Sequence, residues 1–154
     1  NNISRKNIIM KKKLLIVSAK YYREISKNLI NGATEYLDNQ IRNNSKISGY
    51  EYEHLDAPGC FEIPYLINKN KNHYEGFIAL GCVIKGQTYH FELISNEVTR
   101  KIMDLSILNN KPIGFGILTC HNINQARERS DPSKLNKGAE AAKACLDLVE
   151  TYST

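Results

Sequence analysis

Residues 76–90 have the sequence Gly76-Phe-Ile-Ala-Leu-Gly-Cys-Val-Ile84, followed by Lys85-Gly-Gln-Thr-Tyr-His90. The first part is an apolar run, typical of a strand buried on both faces of a parallel sheet. The second part is a short polar turn, and apolar residues at helical spacing follow from Phe91 onward. α/β proteins bind anionic ligands where a buried strand leads through such a turn into a helix. The stretch therefore predicts an α/β sheet with a ligand site beside His90, an imidazole suited to proton transfer near neutral pH.

Short apolar runs alternate with helical patterns on both sides of this stretch. Apolar runs or period-two alternation predict strands at residues 13–18, 50–56, 76–84 and 112–119. Apolar spacing of three and four, or capping signals, predict helices at residues 25–43, 61–69, 91–108, 123–129 and 137–152. Because strand and helix alternate repeatedly, we expect a doubly wound α/β protein. It would be a three-layer αβα sandwich around a four-stranded parallel sheet.

The length and composition fit one domain. A chain of 154 residues is long enough to bury a core without disulfide or metal staples. We expect residues 13–154 to form this domain and residues 1–12, rich in Asn, Ser and Lys, to form a flexible arm. No apolar run approaches the ~20 residues of a membrane span, so no membrane partner is expected. The arm lacks the apolar segment of a secretory signal, which favours a cytoplasmic protein.

Neither the cysteines nor the positive charge indicates a metal or a nucleic acid. Cys60, Cys82, Cys120 and Cys145 form no C-x-x-C pair, which predicts reduced thiols and no metal site. The formal net charge is +5, but Lys11–Lys13 is the only lysine run and no arginine cluster accompanies it. Nucleic-acid footprints concentrate on one face, so we expect no nucleic-acid partner. A basic pocket for a small phosphate fits the sequence better.

Doubly wound sheets bind ligands at the carboxyl ends of their strands. That rule collects four segments of this chain, at residues 18–22, 57–62, 85–90 and 119–122. They supply a pair of tyrosine rings, a tight turn with a carboxylate, backbone N–H groups at a helix start, and a loop that leads to further polar residues. Two candidate cationic donors, Arg129 and Lys137, flank the loop before the last helix.

Each of these groups also has a purely structural interpretation. The tyrosine pair can fill a surface or core position, and Glu62 can complement a helix macrodipole. Gly86-Gln-Thr88 is short for a phosphate loop and matches neither a Walker A motif nor G-x-G-x-x-G. Arg129 and Lys137 can be solvated charges, and His90 can cap or pack as well as catalyse. Pattern alone therefore reaches a phosphate-binding α/β enzyme and leaves its reaction open.

Five blocks of sequence, taken in order, form one larger pattern. They are Asn31-Gly-Ala33 behind Tyr21; Ala57-Pro-Gly-Cys-Phe-Glu-Ile-Pro64; Gly81-Cys-Val-Ile-Lys-Gly-Gln-Thr-Tyr-His-Phe91; Phe115-Gly-Ile-Leu-Thr119 through Gln125-Ala-Arg-Glu-Arg129; and Asn136-Lys-Gly-Ala-Glu-Ala-Ala142. In this order and spacing they resemble the 6,7-dimethyl-8-ribityllumazine synthase family of riboflavin biosynthesis. The blocks span the first strand to the last helix, and the resemblance implies a flavodoxin-like fold.

The resemblance also implies a reaction. The family condenses 5-amino-6-ribitylaminouracil with 3,4-dihydroxy-2-butanone 4-phosphate to 6,7-dimethyl-8-ribityllumazine, releasing phosphate and water in the penultimate step of the pathway. It implies a transferase with two small-molecule substrates and no metal or organic cofactor. Such a reaction needs a stacking surface, a phosphate clamp, a proton shuttle and ordered placement of both substrates.

Roles carried over from the family fall on named positions of this chain. The implied catalytic residues are His90 for proton transfer, Arg129 for the phosphate and Lys137 for the developing anion. The implied substrate-binding residues are Tyr21 for stacking on the pyrimidine; Cys60, Phe61 and Glu62 for the pyrimidine and ribityl group; Cys82, Val83 and Ile84 for the uracil ring; Gln87 and Thr88 for the phosphate; and Phe115, which serves the site of a neighbouring subunit.

A few positions depart from the family's pattern. Tyr21 stands where phenylalanine is usual, and Tyr22 beside it leaves the identity of the stacking ring open. Cys60 stands where alanine is common, and Lys85 replaces a frequent arginine, which keeps the charge but loses a bidentate fork. None of these changes removes a group that the chemistry requires.

The resemblance implies a homo-pentamer, and some family members close twelve pentamers into an icosahedral 60-mer; both states remain open for this chain. Two alternative functions also remain. One is the riboflavin synthase of archaeal type, which shares the fold but is disfavoured by the block around His90. The other is a binding module or shell protein without turnover, which the joint presence of His90, Arg129 and Lys137 disfavours.

Overall fold

The computed structural model of the chain describes residues 11–152. Its strands are β1 (Lys12–Ala19), β2 (Tyr50–Ala57), β3 (Gly76–Ile84) and β4 (Ile113–Cys120). Its helices are α1 (Arg23–Asn43), α2 (Ile63–Asn70), α3 (His90–Asn109), α4 (Ile123–Ser130) and α5 (Lys137–Tyr152), and a 3₁₀ turn at Cys60–Glu62 precedes α2. The arm predicted at residues 1–12 lies, up to residue 10, outside the described residues, and β1 begins one residue earlier than predicted.

The four strands form one parallel sheet in the order β2-β1-β3-β4. Ser18 of β1 lies opposite Asp56 of β2 and Leu80 of β3, and Ile84 of β3 lies opposite Cys120 of β4. This confirms the predicted fold class. Because all strands run in the same direction, their carboxyl ends lie at one edge, and the loops that follow β1, β2 and β3 are neighbours.

Alternate side chains of the central strands build a separate core on each face of the sheet. Leu14 and Ile16 of β1 belong to the core that also contains residues of α1 and α5. Leu15 and Val17, the residues between and after them, belong to the core that contains residues of α2 and α3. Both faces are covered, so the central strands appear in the sequence as continuous apolar runs.

Glycines let α5 lie close to β4 and to α1. A Cβ atom at Gly114 would collide with the carbonyl of Ala141, and one at Gly138 would collide with the backbone of α1. Asn136 precedes α5 in the left-handed conformation, with φ 48°. This close packing fixes the position of Lys137, the first residue of α5.

Two predicted helix starts are confirmed in detail, with one difference. Pro64 lies in the first turn of α2. Asn122 caps α4, since its side-chain oxygen accepts a hydrogen bond from the backbone N–H of Gln125 at 2.9 Å. The reciprocal half of the capping box is displaced by one residue, because the Gln125 side chain accepts from the N–H of His121 at 2.8 Å.

Candidate active site

A crevice of about 530 Å³ lies at the carboxyl ends of β1 and β3. Three of the four segments that the sequence placed at strand ends contribute to it: the residues after β1, the 3₁₀ turn after β2, and the end of β3 with the start of α3. It is lined by Tyr21, Tyr22, Gly59, Cys60, Phe61, Glu62, Cys82, Val83, Ile84, His90 and Ile94. The structure thus brings together most of the predicted site residues.

The two tyrosines form one wall of the crevice. Their ring centroids are 4.9 Å apart with an interplanar angle of 81°, an edge-to-face contact. Tyr21 is 74% exposed, whereas Tyr22 is half-buried and packs against the core beneath α1. Burial raises the pKa of the Tyr22 hydroxyl, followed by the influence of Tyr21 and the two crevice thiols. Tyr21 is therefore the ring with a free face, and Tyr22 holds it from behind.

Two buried thiols form the floor. Cys60 is 7% exposed and Cys82 is 8% exposed. Burial raises the pKa of Cys60 to about 11, although the backbone N–H of Cys82 opposes the rise. Burial also raises the pKa of Cys82 to about 12. Both thiols are therefore neutral near pH 7 and are poor nucleophiles, so the floor is a surface for binding rather than for covalent catalysis.

The end of β3 leaves backbone groups free of strand pairing on its β1 side. β1 pairs with β3 only as far as Leu80, but β3 continues to Ile84. Val83 and Ile84 are half-buried in the crevice wall. A parallel strand that outruns its neighbour in this way offers N–H and C=O groups to the edge of a planar ligand.

The 3₁₀ turn presents an aromatic ring and a carboxylate to the opening. Phe61 is 63% exposed, and Glu62 is exposed as well. The backbone N–H of Glu62 donates to the carbonyl of Gly59, which closes the turn. The Glu62 carboxylate has no hydrogen-bond or ion-pair partner within residues 11–152, so its oxygens are free to accept from a ligand.

His90 is the first residue of α3 and stands at the rim of the crevice. Its backbone N–H donates to the hydroxyl of Thr88 at 3.4 Å, so Thr88 helps to start the helix. The His90 imidazole is exposed and has no partner in the described part of the chain. Thr88 and Gln87 lie on the exposed turn before it and do not line the crevice.

Arg129 and Lys137 also lie outside the crevice lining of the single chain. Arg129, on α4, donates to the carbonyl of Gln125 at 3.4 Å. Burial raises the pKa of the Cys120 thiol, and the positive charge of Arg129 opposes that rise. The Cys120 thiol also interacts with the Cys82 thiol of the floor. Lys137 pairs with Glu140 at 3.0 Å at the start of α5.

Phe115 lies in β4, one of the two edge strands of the sheet that the described residues form. Gly114 and Gly116 on either side of it face α5, so Phe115 points to the α3 side. It is 43% exposed and does not line the crevice of its own chain. Its role at a neighbouring site, which the resemblance implied, stays a prediction.

Two crevice residues were not predicted as site residues. Gly59 closes the turn after β2, and Ile94 lies one helical turn after His90. Ile94 belongs to the apolar repeat of α3, which marks it as a core residue. The available signal was its spacing of four from His90, which places both side chains on one side of the helix.

A second polar cluster brings Ser18, His54 and Asp56 together on the other side of β1. The Ser18 hydroxyl lies 2.6 Å from Nε2 of His54, and the same Nε2 lies 3.3 Å from Asp56. A catalytic triad needs the serine and the carboxylate on different imidazole nitrogens, and it needs an accessible serine. Ser18 is 0% exposed. The cluster is therefore not a hydrolytic site.

Within the described residues, no group of His, Cys, Asp and Glu side chains is arranged to hold a metal ion. Across the same part of the chain, no helix has the length and apolar character needed to cross a membrane.

The doubly wound sheet and its crevice define a class of protein, a flavodoxin-like α/β enzyme that binds a planar, polar heterocycle. The aromatic wall, the neutral floor and the free backbone at the strand end suit the heterocycle. The rim adds a carboxylate and an imidazole. Residues 11–153 match the family described as 6,7-dimethyl-8-ribityllumazine synthase. Proteins of that name from Afipia carboxidovorans and Bartonella tribocorum are 40% and 41% identical; the alignments cover 89% and 91% of this chain and 83% and 91% of theirs. The one from Zymomonas mobilis is 41% identical over 88% of this chain and 93% of its own. The chain belongs to the 6,7-dimethyl-8-ribityllumazine synthase family, as the resemblance implied.

Proposed function

We propose that this chain condenses 5-amino-6-ribitylaminouracil with 3,4-dihydroxy-2-butanone 4-phosphate to 6,7-dimethyl-8-ribityllumazine, releasing phosphate and water. This is the penultimate step of riboflavin biosynthesis. Family membership supports the reaction, and one structural observation carries it. Tyr21, Glu62 and His90 come from three separate parts of the chain and line one crevice.

The crevice suits the uracil ring in shape and polarity. The exposed face of Tyr21 provides a surface for stacking, and the Cys60 and Cys82 thiols provide a neutral, polarisable floor. The backbone of Ile84, on the side of β3 that β1 does not reach, provides a donor and an acceptor at the ring edge. The ribityl chain would lie toward Glu62, because a free carboxylate accepts hydrogen bonds from hydroxyl groups.

His90 is positioned for proton transfer. Condensing an amine with a ketone and eliminating phosphate both move protons, and imidazoles accept and release protons near neutral pH. Because its imidazole makes no contact that would be lost, His90 can meet the substrate without disturbing the fold. Positioning of the two substrates supplies the larger part of the acceleration.

The phosphate clamp is the part of the site that a single chain leaves open. We assign it to Gln87, Thr88 and Arg129, with Lys137 beside the developing anion. Gln87 and Thr88 lie on the turn between Ile84 and His90, both of which line the crevice, and the charge of Arg129 acts on the Cys120 thiol. A guanidinium on a flexible stem can reach a phosphate after breaking only its 3.4 Å contact with a backbone carbonyl.

The exposed apolar residues favour a shared site in a homo-pentamer, with the icosahedral 60-mer as the further state to test. Of the large exposed apolar side chains among residues 11–152, half lie on α3, directly before it or on β4: Tyr89, Leu93, Met103, Ile107, Leu108 and Phe115. Apolar surface of this extent marks a contact between proteins. A neighbour seated there would carry its own Phe115 toward the crevice.

Two further expectations belong to the same proposal. All four cysteines are unpaired, which supports a reducing compartment, the cytoplasm. The single domain at residues 13–154 is supported by one continuous sheet between two helix layers.

The proposal is tested by mixing the purified protein with both substrates and following the absorbance and green fluorescence of the lumazine product. We expect formation well above the slow spontaneous condensation. A rate equal to the spontaneous one would reject the function.

The shared site is tested by mixing two variants of lowered activity. Phe115→Ala and His90→Ala chains are unfolded, combined and refolded together. If each site takes His90 from one chain and Phe115 from its neighbour, about a quarter of the sites in a mixed ring regain both residues. Activity that stays at the mean of the two separate variants would contradict a shared site. Analytical ultracentrifugation distinguishes the pentamer from the 60-mer.

A further inference from the structure

A second cavity, of about 340 Å³, lies beside the first half of α1. It is lined by Lys20, Arg23, Ser26, Lys27, Ile30 and Asn31, and it shares no residue with the crevice. The proposed reaction uses none of these residues.

The cavity carries uncompensated positive charge. Its lining holds three cations and no carboxylate. Lys20 is paired with Asp56 at 2.8 Å. Arg23 and Lys27 have no hydrogen-bond or ion-pair partner among residues 11–152, and the nearby Glu24 is engaged with Arg127 at 3.4 Å. Two positive charges on one face of one helix, four residues apart, repel each other unless an anion lies between them.

A hydroxyl in the same lining lacks a protein partner. Ser26 is only 8% exposed, and its backbone N–H is satisfied by the carbonyl of Tyr22 at 2.8 Å. Its side-chain oxygen makes no hydrogen bond with any other described residue. Because the residue is largely buried but its oxygen is not, the hydroxyl is held in the cavity wall, where it is available to a bound molecule.

A surface ion pair holds one cation of the cavity in place. Asp56 accepts from Lys20 and also contacts Ser18 and His54. Burial opposes ionisation of Asp56, but the hydrogen bond from Lys20 outweighs it, so the pKa of that carboxyl is lowered. Asp56 therefore stays charged and keeps the Lys20 ammonium at the cavity wall, which spares a ligand part of the entropy of ordering it.

We infer that this cavity is a second anion-binding site, which takes a small phosphate monoester. Arg23 and Lys27 supply the two positive charges that match a phosphate dianion, and a guanidinium fits two phosphate oxygens at once. The Ser26 hydroxyl would donate to a third oxygen. Ile30 provides an apolar surface for the organic part of the ester, and the cavity is larger than a bare phosphate requires.

The test separates this site from the crevice. All measurements use the full chain with Arg129→Ala, which removes the phosphate contact proposed for the crevice. Phosphorus NMR line broadening measures binding of glycerol 3-phosphate at constant ionic strength, with glycerol as the uncharged control in proton spectra. The cavity variant adds Arg23→Gln and Lys27→Gln. The matched control adds Arg42→Gln in the last turn of α1 and Lys46→Gln just after it, which removes the same charge at the far end of the helix.

We expect glycerol 3-phosphate affinity to fall about tenfold or more in the cavity variant, because two charge-assisted contacts are lost, and to change little in the control. Ser26→Ala alone should weaken binding severalfold without changing the charge. Equal binding in the cavity and control variants, or no binding to the Arg129→Ala parent, would overturn the inference. Lumazine formation does not depend on this cavity, so failure of the proposed reaction would leave this result unaffected.

Discussion

Gly81→Ala tests how the floor of the crevice is built. A Cβ atom at Gly81 would lie 2.6 Å from the Cys60 sulfur and 3.3 Å from the Ala19 Cβ. Non-bonded heavy atoms need roughly 3.5–4 Å, so Cys60 must move by about 1 Å. The open side available to it is the crevice that it lines. We expect the overpacking to cost about 1–3 kcal/mol. At about 2–4 °C per kcal/mol for a chain of this length, calorimetry should record a clearly lower Tm. The KM for the uracil substrate should rise as well.

Two further variants test whether the collision with the Cys60 sulfur causes the loss of stability. Gly86→Ala is the matched control, because a Cβ atom there meets nothing within 4 Å, and its Tm should stay at the wild-type value. Cys60→Ala removes the colliding sulfur, so the double variant Gly81→Ala/Cys60→Ala should be more stable than the sum of the single effects by about 1 kcal/mol. The Ala19 contact remains, which makes the rescue partial. A wild-type Tm for Gly81→Ala, or strict additivity with Cys60→Ala, would refute the proposed packing of the floor.

The other predictions concern the chemistry of the crevice. Arg129→Ala should raise the KM for the butanone phosphate about tenfold or more with a smaller change in kcat, because a charge-assisted phosphate contact is lost; steady-state kinetics with an unchanged KM would remove Arg129 from the clamp. His90→Ala should lower kcat modestly, since positioning supplies much of the rate; a variant at the wild-type rate would exclude His90 from proton transfer. The Cys60 and Cys82 thiols, with pKa values raised to about 11 and about 12, should react slowly with a disulfide reagent at pH 8 in the folded protein and quickly after unfolding. Because their folded pKa values exceed the unfolded ones, the stability that they contribute is complete below about pH 9 and declines as the pH rises toward those values; a Tm that does not fall between pH 9 and 11 would contradict this.

The sequence predicted the fold well because its central strands are buried on both faces. The run at residues 76–84 matches β3 at both ends, and the last helix is also placed at its observed bounds. Errors of one or two residues occur where an apolar pattern fades into a polar turn: α3 begins at His90 rather than Phe91, α1 begins at Arg23 rather than at residue 25, and α2 begins at Ile63 rather than at residue 61. Hydrophobic periodicity reports burial, and burial changes gradually at element ends.

The candidate site was only partly predictable from strand ends. The rule for doubly wound sheets identified the segments around Tyr21, Glu62 and His90 before any contact was known. It could not identify Ile94, because an apolar residue on a helix has the same pattern whether it faces a core or a ligand. It also gave no sign of the cavity beside α1, since the charges at Arg23 and Lys27 look like an ordinary solvated helix face in the sequence.

Some predicted site residues line the crevice and others do not, and the two groups come from different parts of the sheet. The lining comes from the ends of β1 and β3, the two central strands, and from the turn after β2. Arg129, Lys137 and Phe115 all come from β4 or from elements after it, and β4 is an edge strand of the sheet that residues 11–152 form. Central strands are positioned by neighbours within the chain, so we propose that one chain is enough to form the heterocycle-binding half of the site. Within the described residues β4 has a strand neighbour on one side only, and α3 carries exposed apolar residues. We therefore propose that the phosphate-binding half is the part of the site whose geometry depends on assembly with a second copy of the chain.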